Sequence, residues 1–290
     1  MRSRLEAPRQ RVLVVGGLAT VAVATVTVLR VLYNVPFDPI EFPSSVLVGV
    51  GTLAAVLVGI ALGTTAFATR NAVVRVGLLF AGVFGVFGVL ADAAVLPAVV
   101  AITGGGALAL AGALGLPRSY RGVRRRLVTA GFLAAIGISL ATTTGIVDVG
   151  VRGLGTSLFL AALTLLVIRT GGDPIALVAG AVGFLAVIAA STSAPYLAGS
   201  ALLVGFGVVD GAHLLVATAV FGGVAAVIAG LRRGAPALVA GATILLLAGA
   251  PATPGAAMAI LLGTMLACTD LDDVLADAPG DGSTTEVTAE

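Results

Sequence analysis

Apolar runs of roughly 20 residues recur along the whole chain, each closed by a short cluster of Arg, Asp, Pro or Gly. That length is what a helix needs to cross about 30 Å of hydrocarbon at 1.5 Å per residue. Strands of an outer-membrane barrel would alternate apolar and polar residues at every second position, whereas the run from Ser45 to Phe67 is apolar on every face. The pattern predicts an all-α, polytopic transmembrane bundle. The punctuation divides it into about ten spans, at residues 12–33, 45–67, 74–91, 95–116, 127–147, 152–169, 174–193, 197–230, 235–250 and 253–268.

The connectors refine this outline. Residues 34–44, NVPFDPIEFPS, hold three prolines and two acids and are expected to be an extended loop. The stretch 197–230 is too long for one simple crossing and short for two, so one net crossing with a bent or re-entrant outer segment is expected. A weak internal echo agrees: IRTGGDPIALVAGA (Ile168 to Ala181) recurs as GLRRGAPALVAGA (Gly230 to Ala242), with proline opening the following helix each time. Two equivalent corners on one side require an even number of crossings between them. The last two spans are short, turned by Pro251 and Pro254, and read as a hairpin that crosses fully or in part. Two regions follow: a membrane domain, residues 1–268, and a disordered acidic cytoplasmic tail, residues 269–290, with seven acids and no base.

Charge sets the orientation. Only 10% of the 290 residues are charged against 59% hydrophobic, while a soluble domain carries about a quarter charged, so a water-soluble fold is excluded. All 16 basic residues are arginine. With the N-terminus inside, 14 of them fall on the cytoplasmic side and only Arg30 and Arg152 outside, which by the positive-inside rule places both termini in the cytoplasm. The N-terminal arginines precede an apolar run that continues to Tyr33, longer than the core of a secretory signal, so an uncleaved first span is expected. The arginine-only basic set, the absence of Trp and the Ala, Val, Gly and Leu content resemble proteins of GC-rich genomes, and the chain has the look of an uncharacterised haloarchaeal membrane protein.

Candidate chemistry is sparse. There is no phosphate-binding glycine loop, no His-Glu-x-x-His and no cysteine pair. One histidine and one cysteine leave most metal and nucleophile constellations unavailable, so no catalytic residue, metal or cofactor is assigned. Cys268 reads as an apolar filler near a helix end. Ala212 and His213 are similar to the Ala-His motif of rhomboid-like intramembrane proteases, with Ser157 or Ser200 as serines, but neither serine sits in that family's Gly-x-Ser-Gly setting. The ten-span outline with both termini inside is similar to the drug/metabolite transporter superfamily, a resemblance of outline that carries over no residue.

Three features remain as sites. Asp210 and His213 are the ionisable pair expected within an apolar span, three apart and so on one helix face. They could form a proton- or cation-responsive site, or Asp210 could sit at the outer interface. Arg118, Arg121, Arg124, Arg125 and Arg126 form a cytoplasmic patch that reads as an ordinary topology-setting loop or as contacts to lipid headgroups. Gly82, Gly85, Gly88 and Gly104 to Gly106 mark close helix approaches, with a gate at Gly104 to Gly106 as the alternative; Thr142, Thr143 and Thr144 are expected to bond back to helix carbonyls.

The functions weighed are a non-enzymatic permease-like subunit or scaffold, an autonomous secondary transporter using Asp210 and His213, and a membrane enzyme with an outward acidic cluster from Asp38, Glu41, Asp92, Asp148 and Asp210. The first is preferred because polar lining groups are few. The expected partners are the lipid bilayer and other membrane or cytoplasmic subunits, with no nucleic acid, in the cell membrane.

Overall fold

The structure is a computed structural model that describes residues 2–33, 43–114, 120–148, 151–193 and 212–269. Among these residues the elements are α1 (Arg2–Tyr33), α2 (Ser44–Ala68), α3 (Ala72–Leu90), α4 (Val95–Leu114), α5 (Tyr120–Thr143), α6 (Arg152–Leu165), α7 (Pro174–Ser193), α8 (Ala212–Arg232), α9 (Pro236–Leu247) and α10 (Pro254–Cys268). Short 3-10 turns add Asp92–Ala94 before α4 and Leu166–Thr170 after α6. No strand occurs among the described residues, and the chain is an all-α polytopic bundle. Eight helices are long and apolar enough to cross a membrane, whereas α9 and α10, with 12 and 15 residues, are shorter.

The expected spans and the observed helices coincide closely, with one informative difference. Helix α5 begins at Tyr120, so Arg121 to Arg126 lie on its first turns rather than in a loop. Arginine is a good helix former and Gly122 is tolerated, so nothing after Pro117 forces the chain out of the helix. The stretch 197–230 is represented by α8; residues 194–211, where the re-entrant segment was expected, lie outside the described residues, as does the tail from Asp270 onward.

Local chemistry fixes the corners. The Asn71 side chain accepts from the N–H of Val73 (3.0 Å) and Val74 (3.3 Å) to cap α3, and its Nδ2 donates to the Gly112 carbonyl near the end of α4 (3.3 Å). Asp173 caps α7 in the same way, accepting from Ile175 and Ala176, with Pro174 next in line. Thr253 accepts from Ala256 to cap α10, again before a proline. Gly171, Gly172 and Gly234 adopt positive φ at the two echoed corners, a conformation costly for any residue with a Cβ.

Those two corners touch. Arg232 Nε lies 3.2 Å from Asp173 Oδ2, and Arg233 donates through Nη1 to the Arg169 carbonyl at 2.6 Å and through Nη2 to the Thr170 carbonyl. The ends of α6 and α8 are therefore on one side of the bundle, as the internal echo requires.

At the centre stands α10, contacting α2, α3, α4, α5 and α9. Every residue from Ala257 to Cys268 is buried. Its hairpin partner α9 packs on α1 and α8, and α7 is held on the outside almost entirely by α8. In lipid there is no hydrophobic drive pushing helices together, so closeness comes from small residues. At the α3–α4 crossing a Cβ at Gly105 would fall 2.6 Å from the Gly77 carbonyl oxygen. At the α9–α10 crossing one at Gly241 would meet Ala267 N and the Gly263 carbonyl, both at 2.6 Å. Gly82, Gly85 and Gly88 serve three neighbours rather than one: they face α2, Met258 of α10, and Ala98 of α4. A step of three residues rotates about 60° short of a full turn, which spreads the three over adjoining faces.

Candidate functional site

Two cavities mark opposite ends of the bundle. The first, the outer one by the side that the arginine distribution assigns to it, lies above the short α9–α10 hairpin. Thr27 Oγ1 donates to the Leu247 carbonyl at 3.0 Å, which pins the last turn of α9 to α1 six residues before α1 ends at Tyr33. Helices α1 and α2 continue past the hairpin tip, and the space above it is a cavity of about 520 Å³. Its walls are apolar residues of α1, α2 and α3; its polar groups are Arg30, Asp92, Thr27, Thr52 and Thr253. The N-terminus of α10 forms part of the floor at Pro254, Gly255 and Ala256. Arg30 is half-buried and Asp92 exposed. Thr27 and Thr52 direct their hydroxyls back to helix carbonyls, and Arg30 and Asp92 are the charged residues of the lining.

The cavity at the other end measures about 680 Å³ and is lined by Arg124, Arg125, Arg169 and Arg233 with Val167, Ile168, Gly171 and Gly172. These residues come from three separate stretches of chain: the start of α5, the α6–α7 corner and the residue after α8. A Cβ at Gly171 would lie 2.7 Å from Arg233 Nη2, and the positive φ of residue 171 independently favours glycine there.

Of the residues singled out by sequence, Asp210 lies outside the described residues, and His213 stands in the first turn of α8 without a described side chain. Asp38 and Glu41 also lie outside the described residues. Asp92 lines the outer cavity and Asp148 does not. In the arginine patch, Arg124 and Arg125 line the inner cavity and Arg126 does not; Arg118 lies outside the described residues, and Arg121 is on α5 with its side chain not described. Sequence reasoning treated Arg30, Arg169 and Arg233 only as markers of orientation and gave Thr253 no role. The signal present for Arg169 and Arg233 was the repeated corner, where arginine is followed by left-handed glycine each time.

The threonine run behaves as expected, Thr142, Thr143 and Thr144 bonding back to Ser139, Leu140 and Ala141 carbonyls. Gly105 and Gly106 pack against Gly77 and Leu261, which is the close-packing role, while Gly104 faces open space. Cys268 is buried at the end of α10.

No curated protein and no solved structure matches the sequence. Residues 12–268, the whole helical bundle from the first span to the last residue of α10, match the integral membrane family of unknown function DUF8068, and the chain belongs to that family.

Proposed function

We propose that this protein is a non-enzymatic, permease-like membrane subunit whose outer cavity admits a small polar or zwitterionic solute. The observation that carries this reading is the short α9–α10 hairpin, which leaves a 520 Å³ space over a helix N-terminus, with one cation and one anion at its rim. Ligand pockets commonly measure about 300–1,000 Å³ and combine apolar walls with a few convergent polar groups. Interrupted or short helices whose N-termini point at a substrate are the way many carriers build a binding site within a bilayer. One histidine and one cysteine in the whole chain favour binding over chemistry. The arginine-only basic complement supports a GC-rich, haloarchaeal-type source, and the arginine asymmetry supports insertion in the cell membrane with both termini inside.

The test uses single cysteines at Gly51 and Thr52 in the cavity wall. An impermeant thiol reagent applied to sealed cells should modify both, and a solute that occupies the cavity should slow the reaction. Solutes are chosen from a panel of amino acids, polyols and small organic anions. Lack of reaction from outside in a folded variant would overturn the reading.

A further inference from the structure

We infer that the outer cavity binds a membrane amphiphile, its zwitterionic head at the rim and a single hydrocarbon chain in the interior. The inference rests on the reading of that cavity as a solute site and narrows the solute to a class. Polarity is layered along the walls. On α1 the lining runs inward from Arg30 through Thr27 to Val23, and on α2 from Leu47 through Thr52 to Val58. The charged residues of the described lining, Arg30 and Asp92, both stand at its outer end, since α1 finishes at Tyr33 and α3 at Leu90. A zwitterionic head meets both signs of charge there. Deeper than Thr27 and Thr52, the described lining has no polar side chain.

The hydroxyls above that level are already engaged. Thr27 donates to the Val23 and Leu247 carbonyls, Thr52 donates to the Val48 carbonyl, and Thr253 accepts from the Ala256 N–H. A sugar or polyol seated against Val23, Ala55, Val58 and Ala259 would bury hydroxyls with nothing to bond, whereas a methylene chain finds there only the contacts it prefers. The depth fits as well. From Leu47 to Val58, α2 advances about 16 Å at 1.5 Å per residue, and half of a hydrocarbon core about 30 Å thick is about 15 Å. The cavity is therefore about as deep as one leaflet, with charge at the level of headgroups and apolar walls at the level of chains. Val48 lines it and is 67% exposed, so the mouth reaches the outward flank of α2 and gives a lipid-borne molecule a way in from the side. A volume of about 520 Å³ is that of a site for one drug-sized molecule, which suits one chain rather than the two of a bilayer lipid.

The experiment places the full chain in phosphatidylcholine liposomes with a trace of a single-chain phosphocholine that carries a photoreactive diazirine at the end of its chain. After illumination the labelled residues are located by peptide mass spectrometry. Label on Ala259 is the expected result, because Ala259 is 4% exposed and lines the cavity, whereas lipid around the bundle reaches the exposed Leu53 and Ile60 of α2. Unlabelled single-chain phosphocholine should compete to saturation. Gly51→Phe places a ring in the cavity and should cut the label on Ala259 by about 10-fold or more; Gly49→Phe, on the same helix and equally open but outside the lining, should not. Should Gly51→Phe fail to fold, Gly51→Leu gives the same comparison with a smaller plug. Label confined to Leu53 and Ile60, or an equal response of the two glycine variants, would overturn the inference. So would label on Ala259 that the single-chain compound does not displace, which would make the occupant an ordinary bilayer lipid. Protection of cysteines at Gly51 and Thr52 by small solutes is measured alongside: protection without label on Ala259 overturns the chain-binding inference and leaves the solute site standing, and absence of both overturns the two together.

Discussion

Helices α7 and α10 are written in nearly the same alphabet and sit at opposite extremes of burial. Both open on a proline behind a side-chain cap, both lack any charged residue within them, and both are built mainly of Ala, Gly and larger aliphatic residues. Yet α10 is buried along its length from Ala257 to Cys268, while only Ala176, Gly180 and Val187 of α7 are buried. The comparison shows what apolar composition means in a bilayer. In water an all-apolar helix must be interior; in lipid the tails are as apolar as leucine, and such a helix can stand in the middle or at the edge at similar cost. Depth is decided by shape. Gly241 and Gly263 let α9 and α10 meet backbone to backbone, and Gly85 and Gly106 open space on α3 and α4 for Met258 and Leu261. Helix α7 has one such seam, where Gly180 meets the Phe221 carbonyl of α8, and lipid covers the rest.

The sharpest way to break the contrast is to fill a seam. Gly241→Leu places a side chain where the Gly263 carbonyl and the Ala267 N–H already stand, and the backbones can yield only by parting the central hairpin. Overpacking of this kind costs about 3 kcal/mol, enough to abolish monodisperse folded protein on size exclusion. The matching change on the outer face of α7, Val182→Leu, should leave elution and unfolding temperature unchanged, because Val182 is 62% exposed.

Removing bulk gives a smaller effect with the same sign. Met258→Ala should lower stability by about 2 kcal/mol, toward the low end of the range for buried truncations, because the transfer term largely cancels when the unpacked reference is lipid and only lost contacts and the cavity remain. Leu185→Ala on α7 should stay within about 0.5 kcal/mol. Thermal unfolding in detergent of the two variants side by side measures both.

The legible and illegible parts of this chain divide along the same line. The all-α class and the positions of most helices were readable because a helix in hydrocarbon must satisfy its own backbone, which forces long uninterrupted apolar runs with polar residues between them. The corners at Ile168 to Ala181 and Gly230 to Ala242 were readable as equivalent because proline and glycine have fixed conformational meaning. The central place of α10 was not readable. Its brevity suggested a marginal hairpin, and nothing in a uniformly apolar helix reports which neighbours surround it. The outer cavity escaped for the same reason: Arg30, Asp92 and Thr253 are separated by 62 and then 161 residues, and only the shortness of the hairpin brings them to one opening. Arg124 and Arg125 were found as a cluster because they are adjacent in sequence; Arg169 and Arg233 join them only through tertiary structure.

A third measurement asks whether the short hairpin reaches the far side despite its length, and should leave stability untouched. Single cysteines at Asp92 and Thr253 should both react with an impermeant reagent in sealed cells, and one at Arg126 only after permeabilisation. Native Cys268 contributes no background because it is buried. A protected Thr253→Cys beside a reactive Asp92→Cys would show that the hairpin stops inside the bundle and that the cavity above it is closed from outside.

The smallest expected effect concerns the tail. Residues from Asp270 onward carry seven acids and little apolar bulk, so they gain too little on burial to offset the entropy of ordering. Thr269 itself must be kept: it is buried, its N–H donates to the Met265 carbonyl, and it ends α10. A stop after Ala276 therefore removes most of the tail without placing a new carboxylate against the helix end. Exposed ion pairs contribute about 0–1 kcal/mol each and are screened at ordinary salt, where the Debye length is about 8–10 Å. The shortened chain should accordingly unfold within about 0.5 kcal/mol of the full one at moderate ionic strength, by thermal unfolding in the same detergent. If instead it loses stability, and the loss shrinks as salt is raised, then the tail carboxylates hold the arginines of the inner cavity together. The fully buried α10 would then depend on an acidic segment beyond its own end.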